Sequence, residues 1–320
     1  MKRLAAALAL LLACSTVLAQ GKWPSKPIRL ITPFNAGGAM DIYSRVIAEP
    51  LSKRLKQKVV VQAIPGAHTV VGTQALMKAP PDGHTFMITT MSTAVINRFR
   101  VPAAPYNPDV DFVPVTQLSY GAVLMVAPAK APYKDAKGFI EWAKAQNRTI
   151  RYGSSGVGSW GHLAGLILMR DYDLKLEYVP YKDDLLAITD VQNDALDAAF
   201  AGLTSARSKI QAGEVKAVAM TGPARSAAMP DLPTLSEQGV ANVDLAVWVG
   251  AYLPPKTPKR IVARLQKELK AVLRQPEVRK RLLALGQTPV GNTPEEFTQN
   301  QRMDTLKWDA LIRVFDIKIE

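Results

Sequence analysis

Ile28-Arg29-Leu30-Ile31-Thr32-Pro33-Phe34-Asn35-Ala36-Gly37-Gly38-Ala39-Met40-Asp41 is the stretch on which the fold is decided. An apolar, β-branched run stops at a proline and passes through a glycine-rich turn. It then enters a segment whose apolar residues Ile42, Val46 and Leu51 fall on one helical face. That is a strand, a loop and a helix N-terminus in sequence. The same arrangement returns at 149–152, which runs into Gly153-Ser154-Ser155-Gly156-Val157-Gly158-Ser159-Trp160-Gly161-His162 ahead of the apolar helix 163–169. Unpaired backbone N–H groups at a helix start, with glycines allowing close approach, bind anions through geometry and dipole. Neither loop contains Lys or Arg, so a bound anion would rest on amides and on the hydroxyls of Ser154, Ser155 and Ser159. Asp41 reads as a residue favoured by the helix dipole and not as a ligand contact.

Working outward, short β-rich runs alternate with amphipathic segments along most of the chain. Strands are expected over 28–32, 59–63, 85–90, 123–127, 149–152, 176–180, 196–200 and 216–221. Alternation of this kind makes βα units around parallel sheets, so the fold class is α/β. After the apolar run 245–253 and Pro254-Pro255 the pattern becomes helical. Thr293-Pro294-Glu295-Glu296 supplies an N-cap, a proline at the first helical position and a glutamate at the third. A long last helix should start there and pack through Phe297, Leu306, Trp308, Leu311 and Ile312. Two βα blocks and a helical tail suggest a chain that builds one lobe, crosses to build a second and returns. Lobe 1 would hold 20–122 and 247–320, and lobe 2 would hold 123–246. Crossings near 119–122 and 243–249 would form a two-strand hinge of a Venus-flytrap fold, able to close on a ligand.

Lys2 and Arg3 precede the unbroken apolar run 4–12, the pattern of a secretory signal. Val17-Leu18-Ala19 offers a small-x-small cleavage ending, so a signal peptide of 1–19 and a mature start at Gln20 are expected, with a periplasmic destination. Leu11-Leu12-Ala13-Cys14 offers a second reading, a lipobox in which Cys14 would be acylated and anchor the protein. Cys14 is the sole cysteine, so the mature chain has neither a disulfide nor a thiolate metal site.

The formal charge of +13 becomes +11 once Lys2 and Arg3 are removed, a field that draws in anions. Export argues against nucleic acid as the anionic partner. The densest basic stretch, 256–281, carries ten Lys or Arg against Glu268 and Glu277. It reads as a solvated helix face or as a face that docks a membrane partner.

Enzymatic readings have little to stand on. His68, His84 and His162 are the only histidines, none lies beside a Gly-x-Ser-x-Gly elbow, and no two have metal-ligand spacing. Gly156-Val157-Gly158-Ser159-Trp160-Gly161 does match the dinucleotide fingerprint, with Asp183 about 20 residues on. An NAD(P)-binding Rossmann oxidoreductase is therefore the alternative. Against it, Trp160 would crowd a pyrophosphate, and an exported protein does not ordinarily meet that cofactor. No cofactor is expected.

Several motifs, taken in order, give the chain a resemblance. They are Trp23-Pro24-Ser25-Lys26-Pro27-Ile28-Arg29-Leu30, Pro33-Phe34 with Gly37-Gly38 and Asp41, and Pro80-Pro81-Asp82-Gly83-His84-Thr85. Further on come Ser154-Ser155-Gly156 with Gly158 and His162-Leu163-Ala164, Val179-Pro180-Tyr181-Lys182, Pro230-Asp231-Leu232-Pro233-Thr234 and Trp248. Over essentially the whole mature chain it resembles the receptors of tripartite tricarboxylate transporters, the Bug-type solute receptors.

The resemblance implies a two-lobe receptor, expected to be a monomer, that binds a carboxylate and hands it to the permease subunits of a membrane transporter. It implies that both glycine loops hold one ligand carboxylate, through Phe34, Asn35, Ala36, Gly37, Gly38 and Ala39 on one side. On the other side stand Ser154, Ser155, Gly156, Gly158, Ser159, Trp160 and His162, with help from Ser92 and Thr93 in a third loop.

Three departures reshape the pocket: Asn35-Ala36, Trp160, and Asp183-Asp184 after Tyr181-Lys182. Ala201-Gly202 follows Phe200 where many relatives carry an aspartate. An ammonium would then lack a counter-charge, and amino acids should be rejected. Trp160 and Trp248 could wall the pocket, which would suit an aromatic acid such as terephthalate, and aliphatic di- or tricarboxylates stay open. Trp248 reads equally as a core residue of a hinge strand.

Overall fold

A computed structural model of the chain describes residues 23–319, other than 101, 122, 223 and 244. The readings that fall on 1–22, the signal peptide and Cys14 included, lie outside the described residues. Eleven strands form two sheets: β1 (Ile28–Thr32), β2 (Val59–Ala63), β3 (Thr85–Thr90), β4 (Val113–Gly121), β5 (Val123–Pro128), β6 (Ile150–Ser154), β7 (Leu176–Pro180), β8 (Ala198–Gly202), β9 (Val215–Met220), β10 (Val247–Leu253) and β11 (Gln287–Pro289). The helices are α1 (Ala39–Leu55), α2 (Val70–Met77), α3 (Met91–Ala94), α4 (Pro108–Asp111), α5 (Ala136–Ala145), α6 (Trp160–Tyr172), α7 (Asp184–Gln192), α8 (Leu203–Gln211), α9 (Lys259–Leu273), α10 (Pro276–Ala284) and α11 (Pro294–Phe315).

The first sheet has the order β11-β4-β10-β3-β1-β2 and the second β7-β6-β8-β5-β9. Both are mixed where parallel sheets were expected. β1 runs parallel to β2 and β3, but β10 is antiparallel to β3 and to β4. Likewise β6 is parallel to β7 and β8, whereas β5 is antiparallel to β8 and β9. The reversed strands have a common cause. β5 and β10 are the strands with which the chain enters each sheet after leaving the other, β4 to β5 across 121–123 and β9 to β10 across 221–246.

Helices cover both faces of each sheet, as strands buried on both sides require. On one face of the first sheet Leu30, Phe86, Val249 and Leu253 pack with Val46, Ile47 and Leu51 of α1 and with Leu265 and Leu269 of α9. A larger core runs from Ile31, Met87 and Phe297 into Val123, Phe139, Tyr152 and Phe200, and so continues from one lobe into the other. The last helix begins with the expected capping box, Thr293 with Glu296. Phe297, Trp308 and Leu311 are buried and Ile312 is half-buried, but Leu306 is exposed. A 22-residue helix drifts around its axis, and Leu306 falls on the outer face.

Of β4 only the crossing near 119–122 was foreseen, β11 was not foreseen as a strand, and the 196–200 strand begins two residues later, at Ala198. Among the described residues no helix is long and apolar enough to cross a membrane.

Candidate functional site

Both glycine loops are strand-to-helix turns, β1 into α1 and β6 into α6, as the repeat of the pattern required. Much of their hydrogen-bonding capacity is spent within the turn itself. In the first loop the Gly37 amide donates to Asp41 Oδ2 (3.0 Å) and the Gly38 amide to the Asn35 carbonyl (3.2 Å). Asp41 is buried, also receives Arg45 Nε at 3.0 Å, and is held below the usual carboxylate range chiefly by that guanidinium. It is the helix-start residue that the sequence suggested.

In the second loop the Gly156 amide donates to the Ser154 carbonyl (2.9 Å), the Ser159 amide to the Gly156 carbonyl (3.2 Å) and the Gly158 amide to His162 Nδ1 (3.1 Å). Ser159 caps α6 by accepting from the His162 amide, and its hydroxyl also meets that of Ser154 at 2.7 Å. Ser154 is buried and touches Tyr178 Oη as well. His162 lies against the Tyr178 ring, 4.2 Å between centroids. Burial pushes its pKa down to about 4. It is therefore neutral at pH 7, and because Nδ1 accepts, the proton sits on Nε2. His162 shapes the loop from behind.

Gly161 marks the closest approach of α6 to the sheet. A Cβ there would stand 2.4 Å from Ser154 Cβ and 2.6 Å from Phe200 Cβ, so only glycine lets the helix start here. The first two amides of α6, at Trp160 and Gly161, have no intrahelical acceptor.

Those two residues line a cavity of about 240 Å³ at the junction of the lobes. Gly121, Val123 and Val247 of the crossing strands form its back, and Ser155, Ser159, Phe200, Ala201 and Gly202 belong to the second sheet's side. Leu285, Gly286 and Gln287 reach in from the first. Asp184 is also in the wall, with Oδ2 accepting the Gly202 amide at 2.8 Å. Asp183, its neighbour, caps α7 through the Leu186 amide at 3.0 Å. Only one of the two acidic residues at this helix start is a cap. The view that no carboxylate stands beside Ala201-Gly202 is thereby corrected.

A second cavity, of about 320 Å³, lies in the other lobe between the loop after β1, residues 65–69 and the start of α3. Phe34, Asn35, Ser92, His68, Thr69, Asn97 and Arg100 line it. Arg100 brings a cation that neither glycine loop contains. Its Nε donates to Asn97 Oδ1 at 3.1 Å.

The anticipated residues thus divide. Ser155, Ser159, Trp160, Ala201 and Gly202 meet at the interlobe cavity, and Phe34, Asn35 and Ser92 at the other. Ala36, Gly37, Gly38, Ala39, Ser154, Gly156, Gly158 and His162 build the loops but line neither cavity. Thr93 is fully buried, its hydroxyl bonded to Thr69 (2.9 Å) and Thr89 (2.6 Å), so it stiffens the lobe instead of facing a ligand. Trp248 is no pocket wall either. It is 3% exposed, packs edge-on to Phe297 and donates its indole N–H to Asp304 at 2.7 Å.

Arg100, Thr204 and Gln287 were not singled out, and Asp184 was marked only as half of a pair that reshapes the pocket. Arg100, Thr204 and Gln287 carry no motif in the sequence that would have marked them. Among the described residues no group of three or more His, Cys, Asp or Glu could hold a metal ion.

The two lobes touch beside the second loop. Trp160 meets Trp308 of α11 edge-on at 5.1 Å between centroids, and a Cβ at Gly158 would lie 3.3 Å from Ile319 Cγ1. Ile319 in turn bridges to Arg100. The arrangement has amide donors at a helix start, a cavity walled by both lobes and two strands crossing behind it. It can enclose a small anion without converting it.

Known proteins share this architecture. The profile of the "Tripartite tricarboxylate transporter family receptor" matches residues 43–317. The chain is 32% identical over 314 residues, 97% of its length and 93% of the relative's, to a UPF0065 protein in the tcbD-tcbE intergenic region of Pseudomonas sp. strain P51. A solved structure described as a periplasmic transporter is 35% identical with a TM-score of 0.72, covering 93% of this chain and all of that one. An R. palustris protein solved with adipate is 27% identical with a TM-score of 0.73, covering 93% of this chain and 99% of its own. With the two-lobe fold, the interlobe cavity and a match over most of its length, the chain belongs to the tripartite tricarboxylate transporter receptor family.

Proposed function

We propose that this chain captures a small organic carboxylate between its lobes and presents it to the membrane components of a tripartite transporter. The family is one of periplasmic solute-binding receptors and not of enzymes. What carries the reading here is the interlobe cavity, because residues from both sheets and from both crossing strands enclose it beside the free amides at the start of α6. The ligand carboxylate rests on the amides of Trp160 and Gly161 and on Ser155. Phe34, Asn35, Ser92 and Arg100 in the opposite lobe form a second set of contacts, and the remaining loop residues hold both turns in shape.

In this reading residues 20–122 and 247–320 form one lobe and 123–246 the other, 1–19 are a signal peptide, and the receptor acts as a monomer. A relative solved with adipate supports an aliphatic acid. Trp160 and Phe200 in the cavity wall would equally accept an aromatic ring such as that of terephthalate.

The test is a thermal-shift screen of the mature protein against malate, adipate, citrate, terephthalate and NAD, since a ligand of the folded state raises its stability. A carboxylate should raise the midpoint and be recovered unchanged by chromatography. A response to NAD and to no carboxylate would overturn the proposal in favour of the dinucleotide reading.

A further inference from the structure

Among the described residues that line the interlobe cavity, Asp184 carries the only formal charge. Its Oδ2 accepts the Gly202 amide at 2.8 Å, and no hydrogen bond reaches Oδ1 among the described residues. That fixed oxygen holds the side chain in one place, at the first turn of α7 and beside the start of α8. The same lining has donors of the other kind, the amides at Trp160 and Gly161, for which no acceptor stands among the described residues. The cavity therefore offers amide donors to an anion and a carboxylate to a cation, with Trp160 and Phe200 as apolar lining.

We propose that Asp184 is a specificity-determining residue that selects a carboxylate bearing a protonated amine, over the dianion of the same length. This deepens the carboxylate-receptor reading and rests on it. A dicarboxylate placed along the same cavity would bring its second negative charge toward Asp184 in a partly desolvated space, where like charges repel more strongly than in water. An ammonium in that position makes a charge-assisted hydrogen bond to the carboxylate and keeps its apolar neighbour atoms against the ring walls.

The test compares matched probes by calorimetry on the mature protein: 6-aminohexanoate against adipate, and 4-(aminomethyl)benzoate against terephthalate. The wild-type chain should bind the amine of at least one pair more tightly than its dianion. Asp184→Asn keeps an oxygen for the Gly202 amide while removing the charge, and it should lower the amine-to-dianion affinity ratio about ten-fold or more. Asp183→Asn, which keeps the α7 cap outside the cavity, should leave the ratio unchanged. A folded Asp184→Asn protein that binds with the wild-type ratio overturns the proposal and leaves the receptor reading standing. A wild-type chain that prefers the dianion in both pairs overturns it too. Binding of none of the four probes by any of the three proteins overturns both.

Discussion

The indole of Trp160 stands edge-on to that of Trp308, 5.1 Å between ring centroids and 82° between planes. Trp160 opens α6 beside the second glycine loop, and Trp308 is buried in the last helix, so this pair ties one lobe to the other at the rim of the cavity. An edge-on aromatic pair contributes about 0.5–1.5 kcal/mol beyond the area it buries. Trp160→Ala should therefore lower the unfolding free energy by about 2 kcal/mol and weaken carboxylate binding as well. Urea unfolding with and without adipate measures both. Unchanged stability would show that the lobes do not meet here in solution.

The cavity is walled from both sides, by Gly202 and Thr204 on one and by Leu285 and Gln287 on the other, so a ligand seated there contacts both lobes. Saturating ligand should then favour the packed arrangement and reduce the radius of gyration in small-angle scattering. A radius that stays the same at saturation would mean that the crossing strands do not act as a hinge.

His162 gives the protein a defined pH response. Its folded pKa is about 4 against an ordinary 6.5, because burial disfavours the charged ring. Above pH 6.5 the imidazole is neutral in both states and costs nothing. Between pH 6.5 and 4 the unfolded chain takes up a proton that the folded one refuses, so stability falls. Below pH 4 both states are protonated and the loss levels off, at about 3 kcal/mol at most. Comparing unfolding free energies of wild type and His162→Asn from pH 7.5 to 4 isolates this, since the variant should lack that part of the decline. Parallel curves would place the histidine in contact with water.

Much of the architecture was legible in the sequence because the physics that sets it is local. β1 and β2 coincide with the expected strands, and the capping box at Thr293 with Glu296 fixes the start of α11. Most of β4 was missed for a physical reason. It lies between β10 and β11 in the first sheet and is buried on both faces through its centre, so its sequence lacks the alternation that marks a half-exposed strand. Trp248 shows the limit for the site. Its place in a crossing strand was anticipated, but whether its ring faces the cavity or the core depends on Phe297 and Asp304, some 50 residues away. Asp183 and Asp184 show the same limit over a single step. Neighbours at a helix start point in directions about 100° apart, and only the position of Gly202 makes one a cap and the other a cavity wall.

Gly158 tests the second loop. Its φ is +75°, in the left-handed region, and a Cβ there would lie 3.3 Å from Ile319 Cγ1. Gly158→Asp should cost about 1–3 kcal/mol through the left-handed backbone and should abolish carboxylate binding by adding a negative charge at the loop. Circular dichroism should still report a folded α/β protein. A folded variant that binds normally would remove the second loop from the site.

Arg100 decides whether the lobe 1 cavity belongs to the binding site at all. It follows the 3₁₀ turn Ile96–Phe99, and its backbone bridges to Ile319, the residue that lies against Gly158 of the second loop. Desolvation lowers its pKa from the ordinary arginine value, which still leaves the guanidinium charged throughout the accessible range. Among the described residues that line this cavity with Ser92 and Asn35, Arg100 carries the one full positive charge. Hydrogen bonds to charged groups contribute about 1.5–3 kcal/mol, so Arg100→Gln should weaken binding of a dicarboxylate about 10- to 100-fold. The glutamine keeps a polar group near Asn97, and the backbone bridge to Ile319 is untouched. The salt dependence of binding should also flatten in the variant, because one charge pair has been lost. If adipate affinity and its salt dependence both stay at wild-type values, the ligand is held by the interlobe cavity alone and the lobe 1 cavity is not part of the receptor site.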